Sequence, residues 1–113
     1  MANLFEVRSK FNRAIRLTDT IWYNKVLQDH PEFTERPEYV DDIKKAIEDP
    51  DYVIEGYGGE VRALRWCSVA PGRPKYLCVV YREFEQDGFV ITAYFTSKVK
   101  QLVKRTVLWK RTK

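Results

Sequence analysis

The sequence predicts an α+β domain, with two N-terminal helices packed on one face of a twisted, mainly antiparallel sheet. Three observations predict it. Apolar residues recur at helical spacing between residues 20 and 48, alternation of the strand kind takes over from Tyr52, and three clusters of turn-forming residues cut that second part into strand-length segments. Two helices followed by a meander bury one face of the sheet and leave the other to solvent or to function.

The elements follow in order. Phe11, Arg13, Ile15 and Leu17 alternate with Asn12, Ala14 and Arg16, so a short first strand is expected after a frayed stretch at residues 1–9. Thr18 or Asp19 offers a side-chain oxygen to cap a helix from Thr20 to Asp29, in which Ile21, Trp22, Lys25, Val26 and Asp29 keep the helical period. Pro31 stops that helix, because the residue before a proline is pushed out of the helical region. His30, the one histidine of the chain, is therefore expected at the helix end rather than on its face.

Pro37 opens a second expected helix, reaching Glu48, with Val40, Ile43, Lys44 and Ile47 as its buried stripe and Asp49-Pro50 as its stop. Acids crowd its first turn, where the helix dipole favours them. Strands are then expected at Tyr52 to Glu55, Val61 to Ser68, Tyr76 to Arg82 and Phe89 to Thr96, divided by Gly56-Tyr57-Gly58-Gly59, Pro71-Gly72-Arg73-Pro74 and Gln86-Asp87-Gly88. A last strand is placed at Thr106 to Lys110, and residues 111–113 are expected to fray.

A chain of 113 residues is one domain, and 44% hydrophobic with 32% charged residues excludes a disordered segment. The start M-A-N-L-F-E-V-R-S-K lacks the apolar core of a signal peptide, so a cytoplasmic location is expected. Cys67 and Cys78 are expected as buried reduced thiols. Their spacing with one histidine fits no zinc pattern, and no cofactor or metal is expected.

Charge is segregated along the chain: residues 1–18 carry +3, residues 19–51 carry −6 and residues 52–113 carry +7, with no acid at all from Ser97 onward. The second half would steer a polyanion, or else serve as a solvated basic tail. In the strand F-V-I-T-A-Y-F-T-S-K, Phe89, Ile91, Ala93 and Phe95 are expected on one face and Thr92, Tyr94, Thr96 and Lys98 on the other. One imidazole, a row of hydroxyls and a lysine are the inventory of a metal-independent acid-base site. They also fit a half-exposed strand with no chemistry.

The run I-R-L-T-D-T-I-W-Y-N-K-V-L-Q-D-H-P-E-F, then D-P-D-Y-V, Y-L-C-V-V-Y-R-E, F-V-I-T-A-Y-F-T-S-K and a closing L-W-K together resemble the barnase, EndoU, colicin and RelE-like (BECR) nuclease superfamily. They are most similar to its phage- and toxin-associated branch with a histidine-proline-glutamate signature. The resemblance covers residues 14–110 and implies metal-free cleavage of tRNA or messenger RNA on the exposed sheet face, with an inhibitor (antitoxin or immunity) protein as a further partner. Position by position it implies a role for His30 as the signature histidine and for Thr92, Tyr94 and Thr96 in the strand; Lys98 and Arg82 match basic positions loosely.

Such cleavage needs a base for the 2′-hydroxyl, an acid for the departing 5′-oxygen and positive charge for the phosphorane. Histidine, whose ordinary pKa lies near neutrality, makes His30 the expected base. Tyr94, Lys98 or Glu32 remain for the second proton transfer, and Arg82 and Lys98 for the phosphate. Thr92, Lys100, Lys104 and Arg105 are the expected substrate-binding residues. Trp66, Trp109 and Tyr57 stack on bases or pack in the core. The Gly56–Gly59 cluster lacks the lysine of a phosphate loop and reads as a hairpin turn. A catalytically inactive RNA-binding or protein-interaction module of the same fold is the alternative.

Overall fold

The computed structural model describes residues 2–85 and 87–112. It is an α+β fold built on one mixed sheet of seven strands: β1 (Asn3–Arg8), β2 (Ala14–Thr18), β3 (Tyr52–Glu55), β4 (Glu60–Cys67), β5 (Lys75–Arg82), β6 (Gly88–Thr96) and β7 (Val107–Lys110). Their order across the sheet is β1-β2-β6-β5-β4-β3-β7, with β2 and β6 parallel and every other pair antiparallel.

The chain opens with a hairpin, which corrects the expected frayed N-terminus. Phe5, Glu6, Val7 and Arg8 pair with β2, and Phe11 lies in the connecting turn rather than in a strand. Asn12 takes the left-handed conformation at φ 63°, which asparagine tolerates better than most residues. The Ser9 hydroxyl accepts from the Phe11 and Arg13 amides and is itself bonded to Glu83. The helical segments therefore follow a hairpin instead of leading the chain.

After β2, the Thr18 hydroxyl accepts from the Ile21 amide and starts a helical run in three parts: α1 (Asp19–Ile21), a π segment (Trp22–Val26) and α2 (Leu27–Asp29). His30 ends the run with φ −136°. A 3₁₀ turn, Pro31–Glu35, follows and carries Phe33 into the core. Helix α3 (Tyr39–Glu48) buries Tyr39, Ile43, Ala46 and Ile47. Lys44 and Val40, expected in that stripe, are only half-buried; the true stripe is anchored on Tyr39, whose hydroxyl donates to the Val69 carbonyl at 2.7 Å.

These helical residues join Ile15, Leu17, Val53, Ala63, Leu77, Val79, Tyr81, Val90 and Ala93 in the main core. At its centre Phe33 stacks on Phe95, with ring centroids 4.8 Å apart, and meets Trp22 and Tyr39 edge-on. In β6 the expected alternation breaks. Val80 pairs with Thr92 while Tyr81 pairs with Val90, so Ile91 is an extra residue at a bulge, and Val90 rather than Phe89 or Ile91 points into the main core.

The opposite face is not bare. Ile54, Leu64, Cys78 and Val80 form a second buried cluster, covered by Tyr52, Tyr76, Ile91, Tyr94 and by the segment that includes α4 (Val99–Leu102). At the C-terminal end, the Arg111 guanidinium binds Asp49 and Asp51, so the expected fraying fails at that residue. Met1 and Lys113, expected to fray, and Gln86 of the expected third turn lie outside the described residues.

Replacing Phe33 with alanine removes the ring that three other rings pack on, and the expected loss is about 3–5 kcal/mol of unfolding free energy. Urea denaturation of wild type and Phe33→Ala measures it; a loss under about 1 kcal/mol would show that the cluster repacks around the cavity.

Candidate functional site

The geometry of the edge of β6 creates the site. Strand β2 pairs with β6 only at Ile15–Gly88 and Arg16–Phe89. Gly88 permits that junction, because a Cβ there would lie 2.5 Å from Ile15 Cδ1 and 2.6 Å from the Arg82 carbonyl oxygen. Beyond Phe89 the π segment runs beside β6 in place of a strand. The helical run ends as it reaches the far end of β6, and its last residue meets the second face of the sheet: the His30 and Tyr94 rings lie 6.0 Å apart, tilted by 32°.

Pairing fixes which residues share that face. Thr96, Tyr76 and Trp66 form one cross-strand row; Tyr94, Cys78, Leu64 and Tyr52 form the next; Thr92, Val80, Arg62 and Ile54 form a third. His30 thus faces a row of mixed polar and aromatic character. Glu32 Oε2 lies 3.9 Å from His30 Nδ1, which is an ion-pair distance when the imidazole is protonated.

Tyr94 is tied down. Arg62 Nη1 donates to its hydroxyl at 2.8 Å, and Cys78 is its direct cross-strand neighbour. Burial, together with the adjacent Cys78, pushes the Tyr94 phenol up to about 12. It remains a neutral hydrogen-bond donor throughout the neutral range and does not act as a base there. Burial likewise raises Cys78 to about 11, so this thiol is a structural residue and not a nucleophile. Arg62 Nε and Thr92 Oγ1 are buried without a hydrogen-bond partner among the described residues.

Of the residues singled out from the sequence, His30 and Tyr94 are in contact, and Thr96 lies two residues along the same strand face. The Thr96 hydroxyl accepts from the Lys98 amide at 3.0 Å, so it shapes the turn into α4. Lys98, Lys100 and Lys104 are exposed. Arg82 is apart from this group. It lies four residues from Cys78 along β5, roughly 13 Å by strand rise, beside the Gly58–Gly59 turn. Arg105 is engaged elsewhere as well, stacked over Tyr57 at 4.0 Å with Nε donating to the Glu55 carbonyl. The Thr92 hydroxyl is buried, which leaves it no open path to a ligand.

Arg62 was not among the expected residues. The signal was in the sequence: in V-R-A-L-R-W, alternation puts Arg62 on the face of Leu64 and Trp66, a cation among apolar neighbours. Among the described residues, no three His, Cys, Asp or Glu side chains are grouped to hold a metal ion. Compared with protein-family models, with curated proteins and with solved structures, the chain matches none of them.

The raised Cys78 and Tyr94 values predict an alkaline limit to stability. Both groups lose protons more readily when unfolded, so the folded state holds extra protons above the ordinary thiol value of 9.0, and their contribution falls as pH rises through about 11 and about 12. The buried phenols of Tyr39, Tyr76 and Tyr81 shift in the same direction. Urea midpoints measured from pH 8 upward are expected to decline beyond pH 9, and Cys78→Ala to lessen the earliest part of that decline, which the Cys67 thiol, also raised by burial, shares. An identical pH profile in the variant would remove Cys78 from the account.

Proposed function

We propose that this protein is a metal-independent endoribonuclease of the BECR kind, acting in the cytoplasm on single-stranded or looped regions of tRNA or messenger RNA. The observation that carries the reading is the apposition of His30 and Tyr94 at the edge of the second sheet face. It joins the signature histidine to the strand that the resemblance assigns to catalysis, across 64 residues of sequence. On the same reading, the helical residues 19–29 and 39–48 act as two helices on one face of a twisted, mainly antiparallel sheet. The main core formed with these residues supports it.

In the proposed reaction His30 accepts the proton of a 2′-hydroxyl, whose oxygen attacks the adjacent phosphorus. The bond from phosphorus to the 5′-oxygen breaks, and the leaving oxygen takes a proton from Tyr94 or from water. Arg62, a cation with no carboxylate partner among the described residues, orients the phenol, and Lys98 and Lys100 supply charge near the phosphate. A toxin with a cognate inhibitor protein fits this chemistry. The inactive RNA-binding module is favoured by two facts: Arg82 stands away from His30, and the Thr92 hydroxyl is buried.

Cleavage of a single-stranded oligoribonucleotide is expected to proceed in excess chelator and to leave a 2′,3′-cyclic phosphate. His30→Ala is expected to slow it about 10²-fold with the urea midpoint little changed. RNA bound with no turnover under any condition would give first place to the inactive module.

The same reading predicts salt-dependent binding. Neutralising Lys98, Lys100 and Lys104 together is expected to flatten the slope of log affinity against log salt by about 0.7 for each phosphate that these lysines had neutralised. A slope equal to that of wild type would place the RNA elsewhere on the surface.

A further inference from the structure

Trp66 is a large aromatic residue left half-exposed, at 50%, on the same sheet face as Tyr94. It sits at one wall of a cleft of about 280 Å³ lined by Asp51, Tyr52, Trp66, Tyr76 and Arg111. Its indole meets the Tyr76 ring at a steep angle, with centroids 5.3 Å apart and an interplanar angle of 75°, and Tyr52 stands 6.5 Å beyond Tyr76. Three aromatic rings forming a corner around an open cleft are more than core packing requires. A planar ring entering there stacks on one wall and meets the edge of another.

The polar members of the cleft are held in place. Asp51 accepts the Trp66 amide through Oδ2 at 2.7 Å and Arg111 Nε through Oδ1 at 3.0 Å, so both of its oxygens are engaged. Arg111 binds Asp49, Pro50 and Asp51 through Nε and Nη2 alone, and its Nη1 makes no hydrogen bond among the described residues. Lys110, exposed, pairs directly with Tyr52 at the rim. The cleft is an aromatic corner in which Asp49 and Asp51 match the Arg111 charge and Lys110 is the unpaired cation at the rim.

We infer that this cleft is a stacking site for one unpaired nucleobase, with Trp66 as its platform and Lys110 facing the adjoining phosphate. A combination of aromatic rings and basic side chains is how proteins bind single strands without reading sequence. The position agrees with the proposed cleavage site, on which this inference rests. Tyr76 is directly opposite Thr96, and Trp66 is one strand further, about 10 Å from β6 across two inter-strand spacings. Tyr94 lies two residues further along β6, so a strand whose base is held at Trp66 continues across the same face toward Tyr94 and His30.

The experiment measures binding of a fluorescently labelled, 2′-O-methyl single-stranded oligonucleotide, which cannot be cleaved, to wild type, Trp66→Ala and Trp66→Phe proteins. Trp66→Ala is expected to weaken binding about tenfold and Trp66→Phe less than threefold, the scale of removing one base stack. Quenching of tryptophan emission by the oligonucleotide, absent in Trp66→Phe, reports the stack directly and does not depend on the alanine variant being well folded. Equal affinity of Trp66→Ala and wild type, with quenching unchanged in Trp66→Phe, would overturn the stacking site and leave the nuclease reading intact. No binding by wild type at low salt would overturn both. Capture of a proline-rich peptide at Trp66, with RNA affinity indifferent to the residue, would reassign the cleft to peptide and overturn it as well.

Discussion

The structure depends on what Phe33 does. It is fully buried, stacked on Phe95 of β6 and braced edge-on by Trp22 from the π segment and Tyr39 from α3. Four aromatic rings from four elements meet there, and such pairs prefer offset or perpendicular contacts, so their orientations are mutually fixed. Because Phe33 is three residues after His30, the same contact that closes the core sets where the histidine stands. His30 and Glu32 lie outside the core but inherit their positions from it. A site on a short turn is thereby held as firmly as one on a strand.

The second sheet face has a different logic. It buries Cys78 and half-buries Arg62, Thr92 and Tyr94 beside Ile54, Leu64 and Val80, and polar atoms in such a setting destabilise the fold unless each finds a partner. The Tyr94 hydroxyl is satisfied by Arg62, whereas Arg62 Nε and Thr92 Oγ1 have no partner among the described residues. An apolar set of the same volume would fold at least as well. The proposed function gives the guanidinium and the phenol beside the lone histidine a reason to be there that stability does not.

Much of the strand plan was legible in the sequence, since Tyr52 to Glu55 matches β3 end to end and the other strands of the meander shift by one residue. Glycine and proline act locally, and so do the caps: Thr18 and Pro31 bound the first helical run where their chemistry requires. What was not legible depends on distant partners. The N-terminal strand alternates only through Phe5 to Arg8, and it becomes a strand because β2 lies beside it. The bulge at Ile91 adds one residue against β5, and no local rule for alternation contains that. The stripe of α3 moved because Tyr39 finds the Val69 carbonyl and the Phe33 ring, both contributed from outside the helix. The candidate site divides the same way: alternation brought Thr92, Tyr94 and Thr96 to one face and set Arg62 with Leu64 and Trp66, but only the register between strands places Arg62 against Tyr94 and leaves Arg82 four residues away from Cys78.

The basic half of the chain resolves into two populations. Arg65 and Arg111 are fixed by Asp49 and Asp51, and Arg105 is engaged by Tyr57 and a carbonyl, so these residues join β7 and its neighbours to the sheet. Lys98, Lys100, Lys104 and Lys110 are exposed and have no carboxylate partner among the described residues. Arginine suits the first task, because its planar fork holds several acceptors at once, and lysine suits the second, as a mobile charge that remains hydrated until a polyanion displaces its counterions. The sequence total of +4 therefore understates the field at the second sheet face, since the acids that lower it lie mainly in residues 19–51, the helical part of the chain, while the uncommitted cations follow β6. On the proposed function, a phosphate backbone approaching along α4 would meet positive charge first, then the hydroxyl and ring surface of Thr96, Tyr94 and Tyr76, with the imidazole beside Tyr94.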